Sequence, residues 1–121
     1  MFLRMSDKMK KTKMLKKNYE FKNILTKGKY CGEKYIEAFI AKNSLEFNLL
    51  GIAVSKKIGK AAVRNKIKRL IRENYRLLEK DVNTGYSIVF LWKKKVDTSN
   101  VSFNNIKNDM KSILKKTSIL D

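Results

Sequence analysis

Between Ala61 and Glu79 the residues are sorted by side in the way of a helix that lies half on a core and half in solvent. With Arg64 set at zero and about 100° per residue, Lys68, Arg72, Asn65, Arg76 and Arg69 fall at about 40°, 80°, 100°, 120° and 140°. Val63, Ile67, Leu70, Ile71, Asn74, Leu77 and Leu78 fall between about 220° and 340°. Glu73 lies near 180°, outside the band, so the five cations face outward with no acid among them. An apolar side this wide must dock on another layer, and that requirement governs what the rest of the chain has to supply.

The rest supplies a sheet and two more helices. Asn18 reads as an N-cap with Glu20 in the first turn, where an acid suits the helix dipole. Phe21, Ile24 and Leu25 follow at helical spacing, and Gly28 ends the helix. Tyr30 to Gly32 adds a short strand. Lys34 to Lys42 alternates as a longer one, with Tyr35, Glu37 and Phe39 on one face and Ile36, Ala38 and Ile40 on the other. Asn43 to Glu46 reads as a turn, and Phe47 to Val54 as the second strand of the same hairpin. After the turn Asn83-Thr84-Gly85, the run Tyr86 to Trp92 is apolar on both faces, as a strand buried on both sides would be. Ser102 caps a last helix with the stripe Phe103, Ile106, Met110, Ile113 and Leu114. The expected fold is α+β: a single-layer sheet of about four strands packed with three helices, in the order α-β-β-β-α-β-α. A chain of 121 residues forms one such domain, placed here at residues 15–117. Residues 1–14 read as a basic, mobile arm in which Met5 or Met9 could equally be the start, and 118–121 as a tail.

Charge narrows the partner. There are 29 Lys+Arg against 11 Asp+Glu, a formal net charge of +18. A field of that sign gathers polyanions: nucleic acid first, with an anionic membrane surface or an acidic protein as the other members of the class. No run approaches the roughly 18 apolar residues of a membrane span, and the amino-terminal run alternates Met or Leu with Lys, unlike a signal peptide. A cytoplasmic protein is expected. Histidine is absent, which removes the commonest general base and metal ligand, and the single Cys31 allows no intrachain disulfide. No pair of carboxylates stands at convincing metal-binding spacing. The chain therefore reads as one that binds, with no catalytic or metal-ligating residue of its own.

Arginine sharpens the argument. Of five arginines, four (Arg64, Arg69, Arg72, Arg76) lie in the one helix, although lysine is the preferred cation elsewhere. A guanidinium offers a planar fork that matches phosphate oxygens and stacks on bases, which an ammonium cannot do. The plain alternative is a solvated amphipathic face, and it has to account for that concentration. Upstream, Ser55-Lys56-Lys57-Ile58-Gly59-Lys60-Ala61 adds cations near the helix N-terminus, where the dipole also favours phosphate; the Gly-rich phosphate-loop pattern is absent.

The stretch Gly51 to Arg72 (GIAVSKKIGKAAVRNKIKRLIR) resembles the hallmark segment of the bacterial ribonuclease P protein family, with its R-N-x-x-K-R-x-x-R core on Arg64, Asn65, Lys68, Arg69 and Arg72. Leu15-Lys16-Lys17-Asn18-x-x-Phe21 and Gly28 are similar to that family's opening, and the likeness spans about residues 15 to 117. The resemblance implies a left-handed β-α-β crossover, against the usual right-handed rule. It implies two RNA partners, a catalytic RNA subunit and precursor tRNA, with magnesium held mainly by the RNA, and neither a membrane nor a small-molecule substrate. It assigns RNA-subunit binding to Arg64, Asn65, Lys68, Arg69, Arg72, Arg76 and Lys60. It assigns a cleft for the single-stranded 5′ leader to Phe21, Leu25, Phe39, Ala53, Ser55 and Lys57, since aromatic faces plus cations hold unpaired strands. Two residues depart from the pattern. Leu25 stands where members often carry a second aromatic, and Glu37 places an anion on the leader face. Without the resemblance, Phe21 and Phe39 read as ordinary core. The other function open to such a chain is a structural RNA-binding protein of ribosomal type, or a nucleoid protein.

Overall fold

The computed structural model describes residues 9–120. The elements are β1 (Thr12–Met14), α1 (Asn18–Lys27), β2 (Lys29–Gly32), β3 (Ile36–Lys42), β4 (Asn48–Ala53), α2 (Ala61–Leu78), β5 (Tyr86–Trp92) and α3 (Phe103–Lys116). They form one mixed sheet in the order β1-β4-β5-β3-β2. Strands β1, β4 and β5 run parallel, whereas β3 is antiparallel to both β5 and β2.

Strand β5 takes the centre because it is apolar on both faces. Ile88, Phe90 and Trp92 point into the larger core, which they share with Ile67, Ile71 and Tyr75 of α2 and Ile106, Met110 and Ile113 of α3. Val89 points the other way, into a small cluster with Leu15 and Ile24 under α1. One face of the sheet thus carries two long helices and the other only the ten-residue α1. That asymmetry leaves part of the second face open.

The α+β reading holds, with five strands rather than four. The expected hairpin between β3 and β4 does not form. Strand β5 inserts between them, pairing with β3 along all seven residues from Ile36↔Trp92 to Lys42↔Tyr86 and with β4 from Leu49↔Ser87 to Ala53↔Leu91. A strand apolar on both faces is most stable with neighbours on both edges, and this outweighs the short turn between β3 and β4. That turn, with Ser44 at φ 60° and the Asn43 side chain accepting from the Leu45 N–H (2.8 Å), instead carries the chain past β5. The hairpin partner of β3 is β2, joined through Glu33, whose N–H donates to the Ile36 carbonyl (2.8 Å).

Both ends of the domain extend further than the sequence suggested. Thr12–Met14, assigned to the mobile arm 1–14, is a strand on β4. The Lys10 and Lys11 N–H groups donate to the Glu79 carboxylate (2.8 and 3.1 Å), and the Thr12 hydroxyl meets the Tyr75 hydroxyl (2.8 Å). A lysine-rich edge strand docked by polar bonds has no hydrophobic pattern to announce it. Residues 1–8 of that arm lie outside the described residues. In the tail assigned to 118–121, Ile119 and Leu120 are buried, and Leu120 bridges to Val82. At α1 the N-cap is Lys17, not Asn18, with Glu20 accepting from the Lys17 N–H (3.2 Å). Ser102 caps α3 as expected, accepting from the Asn105 N–H (3.1 Å).

Candidate nucleic-acid interface

The exposed side of α2 presents the expected band, with differences of detail. Asn65, Arg69 and Arg72 are exposed, whereas Arg64, Lys68 and Arg76 are half-buried along their stems. Arg64 donates to the Gly59 carbonyl (2.7 Å), so its guanidinium is tied back to the link 54–60 that feeds the helix. Arg69 lies 3.7 Å from Glu73, which corrects the expectation of a band without acid; the pair is exposed and one turn apart, a geometry that contributes little. Lys60 is the exposed N-cap of α2, which has no acid in its first turn.

The buried side of α2 is rotated from the ideal wheel. Leu77, placed on the apolar side, is 61% exposed, and Tyr75, which the wheel puts at about 20° among the cations, is fully buried. The Tyr75 hydroxyl is the reason: it meets Thr12 at 2.8 Å and accepts from the Asn48 amide at 3.3 Å, docking α2 onto β1 and β4. Burial raises its pKa above the usual 10.0, so it remains a phenol. Asn74, also buried, donates to the carbonyls of Leu70 (3.0 Å) and Phe103 (3.2 Å) and so ties α2 to the start of α3.

On the other face of the sheet, α1 packs over β3 and β5, and the Phe21 ring reaches out over Gly51 of β4. A Cβ at Gly51 would come within 2.6 Å of the Phe21 ring and 2.9 Å of Leu15. Phe21, Phe39, Leu49 and Leu91 are half-buried around the Leu15–Ile24–Val89 cluster. Leu25, one helical turn beyond Phe21 on the same flank, is 36% exposed. Ala53 lies two residues beyond Gly51 on the same face, in a row with Leu91 and Glu37. Ser55 and Lys57 follow in the link, where the Ser55 hydroxyl accepts from the Lys57 N–H (3.2 Å) and leaves the Lys57 ammonium exposed. Gly28 does end α1, but in extended conformation: its N–H donates to Ile24 (2.7 Å), and a Cβ would collide with that carbonyl and crowd the Ile40 nitrogen.

The six residues expected to line a cleft therefore lie on, or run off, one face. Phe21 and Phe39 are half-buried, packed against the small cluster and still partly open to solvent. Tyr30 was not anticipated. It is 51% exposed on β2, forms a T-shaped pair with Phe39 at 5.3 Å, and donates from its hydroxyl to Glu37 (3.0 Å). The sequence offered half of the signal, a strand over 29–32 that puts Tyr30 and Gly32 on one face; the pairing of Tyr30 with Phe39 comes from the fold.

Among the described residues no helix is long and apolar enough to cross a membrane, and no three His, Cys, Asp or Glu side chains gather as metal ligands.

Comparison with known proteins places this geometry. A family model described as Ribonuclease P matches residues 9–118. The ribonuclease P protein component of Thermoanaerobacter sp. (strain X514) is 39% identical over 103 residues, covering 85% of this chain and 87% of that protein. The solved Staphylococcus aureus RNase P protein superposes with a TM-score of 0.78 at 29% identity, over 89% of this chain and 97% of that one. A mutant of the S. aureus protein, described as having defective mRNA degradation activity, matches with the same TM-score at 30% identity, over 88% and 89%. Sequence and fold thus agree, and the chain belongs to the ribonuclease P protein component family.

Proposed function

We propose that this chain assists endonucleolytic removal of the 5′ leader from precursor tRNA, binding a catalytic RNA subunit through α2 and the unpaired leader in the cleft beside α1. The observation that carries this reading is the joining of two nucleic-acid chemistries by one short link, 54–60. A guanidinium band suited to folded RNA backbone lies on one side of it, and a half-open aromatic floor suited to unpaired bases on the other. Arg64, Asn65, Lys68, Arg69, Arg72 and Arg76, with Lys60, contact the RNA subunit. Phe21, Leu25, Phe39, Ala53, Ser55 and Lys57 receive the leader.

The protein's part is to bind and orient; the hydrolytic step belongs to the RNA. Magnesium prefers several oxygen ligands in octahedral array, and among the described residues no three acids gather to provide them, while three of the buried or partly buried acids already have partners. Asp109 accepts from the Tyr35 and Ile36 N–H groups, Glu79 from Lys10 and Lys11, and Glu33 pairs with Lys116. These residues do not fit a protein-held magnesium, so the ion sits with RNA phosphates. A second reading, RNA degradation by the chain alone, draws support from the activity named for the S. aureus protein. It requires an acid/base set that a chain without histidine and with dispersed acids does not offer.

The test is assembly with the RNA subunit at several salt concentrations. Alanine at Arg64, Lys68, Arg69 or Arg72 should weaken binding, and each lost phosphate contact should reduce the salt slope by about one counterion. Unchanged affinity and slope in all four variants would return α2 to a merely solvated face. Equal affinity for unrelated RNAs would favour the ribosomal or nucleoid type of protein.

A further inference from the structure

We propose that Tyr30 is the outer stacking platform of the leader cleft, held there by Gly32 and Glu37 and supplying the ring that is missing at Leu25. The inference rests on the reading of the cleft as a site for unpaired leader nucleotides.

Three contacts fix this side chain although it stands on an edge strand with half its surface in solvent. Its ring forms a T-shaped pair with Phe39, the register partner of Tyr30, with centroids 5.3 Å apart and planes at 62°. Its hydroxyl reaches two residues along β3 to Glu37 Oε2 at 3.0 Å. It passes over Gly32, where a Cβ would collide with the hydroxyl and come within 3.0 Å of the ring carbon that bears it. A tyrosine merely tolerated at the surface needs neither the glycine gap nor the carboxylate. Partial burial, with the Glu37 bond adding to it, raises the phenol pKa above 10.0, so the hydroxyl remains a donor near neutrality.

This changes the role of Glu37. Read from the sequence it is a charge that repels phosphate; in the fold it is the acceptor that orients the ring. The strands place the platform. From Gly51 on β4, beneath Phe21, the sheet runs through Val89 on β5 and Phe39 on β3 to Tyr30 on β2. Three strand spacings make about 14 Å, a span that lets more than one base find an aromatic face. Leu25 offers only an aliphatic surface over this span, and Tyr30 stands just past the end of α1.

The experiment measures binding of precursor and mature tRNA to the enzyme assembled with its RNA subunit, for wild type, Tyr30→Ala, Tyr30→Phe, Glu37→Ala and Phe21→Ala. Tyr30→Ala should weaken precursor binding by about fivefold or more, the loss of stacking with one base, and leave mature tRNA and assembly unchanged. Tyr30→Phe keeps the ring without its tether and should fall between. Glu37→Ala should weaken precursor binding as well; tighter binding would show that the carboxylate acts as a repelling charge and would overturn the proposal. If Tyr30→Ala binds like wild type while Phe21→Ala is impaired, Tyr30 is outside the site and the cleft reading stands. If neither variant distinguishes precursor from mature tRNA, the leader reading itself falls, and this proposal with it.

Discussion

Tyr75 shows at one residue what a helical wheel cannot. Its angle puts it among the cations, yet it is fully buried because Thr12 and the Asn48 amide meet its hydroxyl. Nothing in periodicity encodes a hydrogen bond to a strand that is itself unannounced. Replacing Tyr75 with Phe removes the hydroxyl and leaves two buried polar groups without it, which should cost about 1–3 kcal/mol in a urea denaturation. RNA assembly under folding conditions should be unchanged, since Tyr75 does not reach the exposed band. A neutral substitution would mean that β1 docks without this network. Asp109 makes the same point from the other side. It reads as a scattered acid in the sequence, yet it is buried and organises the start of β3 by accepting from Tyr35 (2.6 Å) and Ile36 (3.1 Å). The cation band of α2 was legible, by contrast, because it depends only on spacing along one helix.

Among the elements, the long helices and β5 could be read from the sequence, and strand pairing could not. β5 declares its burial by being apolar on both faces, but adjacency in sequence suggested that β3 and β4 would pair with each other. The observed neighbours follow from giving the most apolar strand two partners, which is a property of the whole sheet. The same limit hides the tie at the far end of the sheet, where Lys116 of α3 donates to Glu33 in the β2–β3 turn. The Lys116 ammonium is the first cause of a Glu33 pKa below its usual 4.5, and Glu33 in turn raises Lys116 above 10.5. A lowered carboxylate pKa contributes stability above 4.5 and loses it as pH falls through the folded value. The raised lysine contributes below 10.5 and loses it as pH rises through its folded value. The pair therefore acts between these limits. Glu33→Gln should lower the melting temperature slightly at pH 7, less in high salt because Lys116 is exposed, and by a shrinking amount as pH falls through the folded value of Glu33. A deficit that stays constant as the pH is lowered would assign the effect to packing of the turn.

For the whole molecule, the decisive property is net charge. A catalytic RNA and a precursor tRNA are both polyanions, so bringing them together costs electrostatic free energy that counterions must offset. On the proposed function, a chain of formal charge +18 that binds both would place positive charge between them. Fixed charge supplied by protein replaces part of what free magnesium supplies by screening. Adding the protein should therefore lower the magnesium concentration at which the RNA subunit cleaves precursor tRNA at half its maximal rate, and the gain should shrink as monovalent salt rises. It should be larger for precursor tRNA with its leader than for a substrate whose leader is cut back, because on the proposed function only the former would reach the floor formed by Phe21, Phe39 and Ala53. The protein alone should leave both RNAs intact: histidine is absent from the chain, and among the described residues the acids do not gather. The measurement is a magnesium titration of cleavage with RNA alone, protein alone and both together. Cleavage by repurified protein without RNA would transfer the chemistry to this chain. A magnesium requirement unmoved by the protein would show that its charge does not bridge the two RNAs.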